Sequence, residues 1–129
     1  MTTITRFEEI QAWQEGRVLT KKIYGVTSSG AFAKDFGLRD QIQRAAISIT
    51  ANIAEGFDCD SNAEFIRFLG YARRSTVEVQ SLLYAAHDLG YLNEEIFQEC
   101  IDQATRTKAL IGGFMHFLKN NPHRSKPGG

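Results

Sequence analysis

Reaction chemistry in this chain of 129 residues would have to start from three histidines, His87, His116 and His123, and two cysteines, Cys59 and Cys100. Helical bundles that hold two metal ions use Glu-x-x-His pairs, which set a carboxylate and an imidazole one turn apart on the inward face. Here the residue three before His87 is Tyr84, the residue three before His116 is Gly113, and His123 falls near the end of the chain. The two cysteines have no metal-like spacing. Spacing brings no Ser-His-Asp or Cys-His set together, and Gly112-Gly113 sits inside a helical pattern instead of following a strand as a phosphate-binding loop does. The sequence therefore predicts a non-enzymatic protein with no catalytic residue, no cofactor and no metal site.

Polar groups are instead arranged for contact. Within QIQRAAISITANIAEGF, Gln41 to Phe57, the residues Arg44, Ser48, Asn52 and Glu55 fall at i, i+4, i+8 and i+11, a polar seam beside an apolar stripe. Gly56 is expected to close that helix. With the chain reversing near Cys59, Ser48 should lie near Gly70 and Tyr71, and Arg44 near Arg74, Ser75 and Glu78. Small residues at such a crossing let two backbones approach, and Arg44 would form a partly buried pair with Glu78. The seam reads as structural, fixing register and close packing. Arg39, Arg67, Arg73 and Arg74, with Arg44, would contact nucleic acid if they shared one exposed surface; a solvated helix face explains them about as well.

The elements that must position these groups are helices. Both prolines lie in the last eight residues, leaving 121 residues without the strongest helix breaker. A first helix is expected from about Arg6 to Val26, with Phe7, Ile10, Trp13, Leu19 and Ile23 inward, followed by the loop AFAKDFG. Leu38, Ile42, Ile49 and Ile53 give the second its core stripe. Ser61 and Glu64 form a capping-box pattern before a third, and Phe65, Leu69, Ala72, Thr76, Val79 and Leu83 repeat at three and four. Leu89-Gly90-Tyr91-Leu92 reads as a glycine terminator, and Asn93 caps a fourth helix with Phe97, Cys100, Ala104, Ile111 and Leu118 inward.

Four helices joined by short turns predict an all-α, antiparallel up-down four-helix bundle over residues 1–121, with a disordered tail over 122–129. Outside the core stripes, Ile47, Ala51, Ala54, Ile66, Val77 and Tyr84 form a second apolar line, either scattered exposure or, as preferred here, a subunit interface of a homo-oligomer. Lys plus Arg and Asp plus Glu number 15 each, so no global field draws the chain to nucleic acid or anionic membranes. Without a signal-like start or a membrane-spanning run, a cytoplasmic protein is expected.

The stretch QIQRAAISITANIAEGF, followed by SNAEFIRFLGYARRSTVEV and LGYL, resembles the bacterial four-helix bundle proteins encoded in intervening sequences of 23S ribosomal RNA genes. FEEIQAWQEG and the FGL of Phe36 to Leu38 are similar to that family as well. The family is similar in turn to accessory proteins of diversity-generating retroelements, so the resemblance implies a pentameric helical barrel that associates with another protein or with nucleic acid. By position it marks Arg44, Ser48, Asn52, Glu55, Gly56, Glu64, Phe65, Ser75 and Glu78. Thr50 stands where the family usually has proline and Arg74 where glycine is common. Two functions follow. The preferred one is a non-enzymatic oligomeric scaffold that binds another protein; the alternative is an RNA- or DNA-binding oligomer whose arginines are multiplied by symmetry. A neutral subunit makes any such binding weak.

Overall fold

Apolar periodicity and end signals together decide where the helices lie. The computed structural model describes residues 3–121, so the expected tail over 122–129 lies outside the described residues. The helices are α1 (Gln11–Val26), α2 (Gly30–Lys34), α3 (Phe36–Phe57), α4 (Asn62–Asp88) and α5 (Glu94–Lys119), with a 3-10 turn over Phe7–Glu9. Among the described residues there is no strand.

Side-chain caps satisfy free N–H groups at three helix starts. Asp35 Oδ1 accepts from the Leu38 N–H at 3.1 Å, Ser61 Oγ from the Glu64 N–H at 3.2 Å, and Asn93 Oδ1 from the Ile96 N–H at 2.8 Å. The Glu64 carboxylate, expected to reach back toward Ser61, pairs with Arg67 at 2.7 Å. Gly90 takes φ +78°, and the Tyr91 N–H closes onto the Ala86 carbonyl at 2.9 Å, the terminator that its sequence predicts.

Two segments differ from expectation. The first helix begins at Gln11, not near Arg6, because Glu9 Oε1 accepts from the Thr5 N–H at 2.8 Å and the Arg6 N–H at 3.3 Å, folding the chain back before Ile10. Those hydrogen bonds, that from the Thr5 backbone first, hold the Glu9 carboxyl below its usual range. The segment expected as a loop contains α2, which plugs Phe32 into the core at 1% exposure. Phe32 stacks on Tyr91, whose hydroxyl donates to Asp35 Oδ2 at 2.9 Å, tying this segment to the α4–α5 turn.

Each long helix packs between two others, in the cyclic order α1, α3, α4, α5, around one continuous core. Between α1 and α3, the Thr20 hydroxyl meets the Ala46 carbonyl and Gln43 Nε2 donates to Thr27 Oγ1. Between α4 and α5, Gln80 Nε2 donates to Thr105 Oγ1 and Asn62 Nδ2 to the Asn121 carbonyl. Between α5 and α1, Glu15 pairs with Arg106 at 3.0 Å and Lys22 with Glu99 at 2.6 Å.

Candidate functional site

The polar seam is a clasp at its middle and solvated at its ends. Ser75 Oγ donates to Ser48 Oγ at 3.0 Å, and Asn52 Nδ2 donates to the Ser48 carbonyl and hydroxyl at 2.8 and 3.0 Å. Ser48 thus meets Ser75 and not the expected Gly70 and Tyr71. Register is set where α3 and α4 converge. Gly56 lies one residue before the end of α3, close to where it was expected to close the helix, and it is buried there; a Cβ on it would lie 2.8 Å from both Phe65 Cδ1 and Phe68 Cβ. The missing side chain of Gly56 thereby lets the backbone of α3 lie directly against the Phe65 and Phe68 side chains of α4.

The partly buried Arg44–Glu78 pair does not form. Both side chains are exposed, and Glu78 accepts from Gln41 Nε2 at 3.1 Å. Water solvates both charges more cheaply than ordering two long side chains into one geometry. Glu55 is exposed as well. Glu78→Ala should accordingly change stability by no more than about 0.5 kcal/mol in a urea melt; a loss of several kcal/mol would show a pair that these positions do not indicate.

The five arginines do not share one surface. Arg39 bonds Asp40 and the Ala33 carbonyl at the start of α3 and stacks over Phe36. Arg73 turns toward α5, its Nη1 3.9 Å from where a Cβ on Gly112 would sit. Arg67 and Arg74 occupy one row of α4 with Tyr71 and Glu78, at i, i+7, i+4 and i+11, beside the groove whose far wall carries Arg44 one turn before Ser48. Arg67 also lies over the Phe68 and Tyr71 rings. That groove holds three arginines interspersed with Glu55, Glu64 and Glu78.

The outer apolar line is likewise two faces, not one. On α3, Ile47 is 46% exposed, and its neighbours Gln43 and Thr50 touch α1, so Ile47, Ala51 and Ala54 border the α1 side. On α4, Val77 is 46% and Tyr84 55% exposed; Arg73 and Gln80, one turn either side of Val77, reach α5, so Ile66, Val77 and Tyr84 border the α5 side. Ile66 is half-buried against the core. Sequence reasoning missed the row Trp13, Arg17, Lys21 and Tyr24 of α1, which extends the Ile47 face; Trp13, expected inward, packs against the core while remaining half-buried, edge-on to Phe7 and with the Arg17 guanidinium over its ring. Its i, i+4, i+8, i+11 spacing was the available signal.

An open cleft of about 410 Å³ lies between the N-terminal turn and α5, lined mainly by Ile4, Ile10, Ala12, Leu110 and Phe114. Its one carboxylate, Glu9, is occupied by the backbone of Thr5 and Arg6. His87 bonds Glu94 at 2.8 Å and stacks on Phe97, which secures the α4–α5 turn. Among the described residues, no three of His, Cys, Asp and Glu gather into a metal-binding group, and no helix is long and apolar enough to cross a membrane.

The family model described as 23S rRNA-intervening sequence protein matches residues 8–113. Among solved structures, the chain is similar to that of a protein of unknown function from the S23 ribosomal protein family of Bacteroides thetaiotaomicron, with a TM-score of 0.76 and 23% identity. The alignment covers 81% of this chain and 95% of that chain, and at this identity the likeness is one of fold. No curated protein matches the chain.

Proposed function

The chain belongs to the 23S rRNA-intervening sequence protein family, and we propose that it works without catalysis, as a cytoplasmic homo-oligomeric scaffold that binds another protein. Its building block is an antiparallel up-down four-helix bundle over residues 3–121, a reading supported by contacts that run Gly56–Phe65, Ser48–Ser75 and Gln41–Glu78 from one end of the α3–α4 pair to the other. The observation that carries the oligomer is the exposure of Ile47, Val77 and Tyr84 on a bundle whose core is already closed by other residues. Leaving such rows in water gains a monomer nothing, whereas covering each exposed side chain contributes on the order of 1 kcal/mol. The resemblance to pentameric accessory proteins makes the pentamer the preferred number.

The second reading, an RNA- or DNA-binding oligomer, is favoured by the exposure of Arg44, which leaves it free to join Arg67 and Arg74 along one groove. Acidic neighbours weaken that field, so useful affinity would depend on several subunits acting together. Each phosphate contact adds about 0.7–0.9 to the slope of log affinity against log salt. Fluorescence anisotropy with a structured RNA should therefore show binding only at low salt, lost in the triple variant Arg44→Ala/Arg67→Ala/Arg74→Ala and kept in Arg73→Ala. Tight binding that survives physiological salt would replace the protein scaffold by an RNA-binding function.

A further inference from the structure

Resting on the scaffold reading above, we infer that the partner protein docks on the end of the bundle formed by the α4–α5 turn, through a basic segment that carries bulky apolar side chains. The neutral total charge conceals a segregation. From Ser75 to Thr105 the chain carries six carboxylates, Glu78, Asp88, Glu94, Glu95, Glu99 and Asp102, and no lysine or arginine. The fold concentrates this stretch, because Gln80 Nε2 bonds Thr105 Oγ1 and the second half of α4 therefore lies along the first half of α5. All six acidic residues are exposed. Lys22 reaches Glu99 and His87 reaches Glu94, whereas among the described residues Asp88, Glu95 and Asp102 enter no ion pair. Glu94 and Glu95 suit the positive start of α5, but Asp88 sits in the last turn of α4, where the helix dipole opposes a carboxylate. Helix-end stability thus explains only part of this acidity.

At the tip of this acidic region, apolar side chains stand in water on a turn that is held fixed. Leu89 is 59% exposed, Ile96 is exposed across the turn, and the Tyr91–Asp35 bond brings Phe36, 64% exposed, to the same end. Gly90 terminates α4 and Leu92 fills the core beneath, so the turn does not use Leu89 for its own packing. His87, stacked on Phe97 and bonded to Glu94, braces it from the α4 side. A braced surface loses little freedom on binding, and a carboxylate rim repels phosphate, so the tip fits a protein segment of opposite charge and not RNA or anionic lipid. Arg124 and Lys126 of the same chain cannot supply that segment: they follow Asn121 by three and five residues, beyond the opposite end of the 26-residue α5, about 39 Å away. The tip also stands clear of Ile47 and Val77, which lie near the middle of the bundle beside the Ser48–Ser75 contact.

A short fluorescent amphipathic peptide of leucine and lysine serves as the probe, read by anisotropy against the whole chain at physiological ionic strength. It should bind, and more weakly as salt rises. The same pattern built from leucine and glutamate should not bind, and a serine–lysine version should bind at least about tenfold more weakly for want of the apolar anchor. Leu89→Ser/Ile96→Ser should weaken the leucine–lysine peptide by about tenfold, and Asp88→Asn/Glu95→Gln should weaken it and flatten its salt dependence. Phe117→Ser, an exposed apolar residue near the other end of α5, should leave binding unchanged. Amide chemical-shift changes in the unaltered protein give a second reading that needs no variant, and they should centre on residues 88–96. No binding of the leucine–lysine peptide, equal binding of the glutamate peptide, an equal loss in Phe117→Ser, or shifts centred on Val77 or on the α3/α4 groove would each overturn the inference. Any of these would leave the scaffold reading standing, since that reading is decided by the mass of the unaltered protein in light scattering.

Discussion

Replacing Phe65 by alanine should lower stability by about 3–5 kcal/mol, the range for removing a fully buried aromatic ring. Phe65 has no exposed surface, lies edge-on to Phe114 with ring centroids 5.3 Å apart and to Phe57 at 6.0 Å, and covers the backbone of α3 at Gly56. Its loss would open a void where three helices meet. Urea unfolding at fixed protein concentration measures this, with Phe117→Ala as control, since Phe117 is 39% exposed and should cost far less. A Phe65→Ala loss below about 1 kcal/mol would mean that the α3–α4 crossing collapses around the gap or is not the keystone described.

The reverse fault, too much volume at the same point, should follow Gly56→Val. A Cβ at Gly56 already falls 2.8 Å from Phe68 Cβ, an atom fixed close to its backbone, so the helices must separate and the ring of Phe65 must turn. Overpacking costs about 1–3 kcal/mol, offset only in part by the better helix propensity of a non-glycine residue. We expect a net loss of about 2–3 kcal/mol for valine and a smaller loss for alanine. Gly25→Ala is the contrast: nothing lies within 4 Å of its added Cβ, so it should be neutral or stabilise by up to about 1 kcal/mol. Equal effects at the two glycines would contradict the close approach.

The ends and faces of the long helices were legible because their signals are local. Ser61, Gly90 and Asn93 do their work within a few residues, and the stripes through Ile49, Leu69, Val79, Ala104 and Ile111 are buried as their spacing predicts. What escaped depends on partners distant in sequence. The five residues of α2 are too few for a period, and Phe32 is held by Tyr91 across the bundle. Gly56 reads as a terminator because a glycine near a helix end usually is one; only the aromatic rings of α4 reveal it as a contact point. Arg44 and Glu78 sit on neighbouring helices as their pattern suggests, but long charged side chains follow solvent more than register. The outer apolar residues were identifiable one by one, whereas their division into two opposed faces needed the order in which the helices pack.

The scaffold reading stands or falls on assembly. Light scattering on the eluate of a size-exclusion column, with the unaltered chain at micromolar concentration, should give a mass near five times the 14.5 kDa subunit. A species of 14.5 kDa under those conditions would contradict it, leaving Ile47, Val77 and Tyr84 as ordinary surface residues.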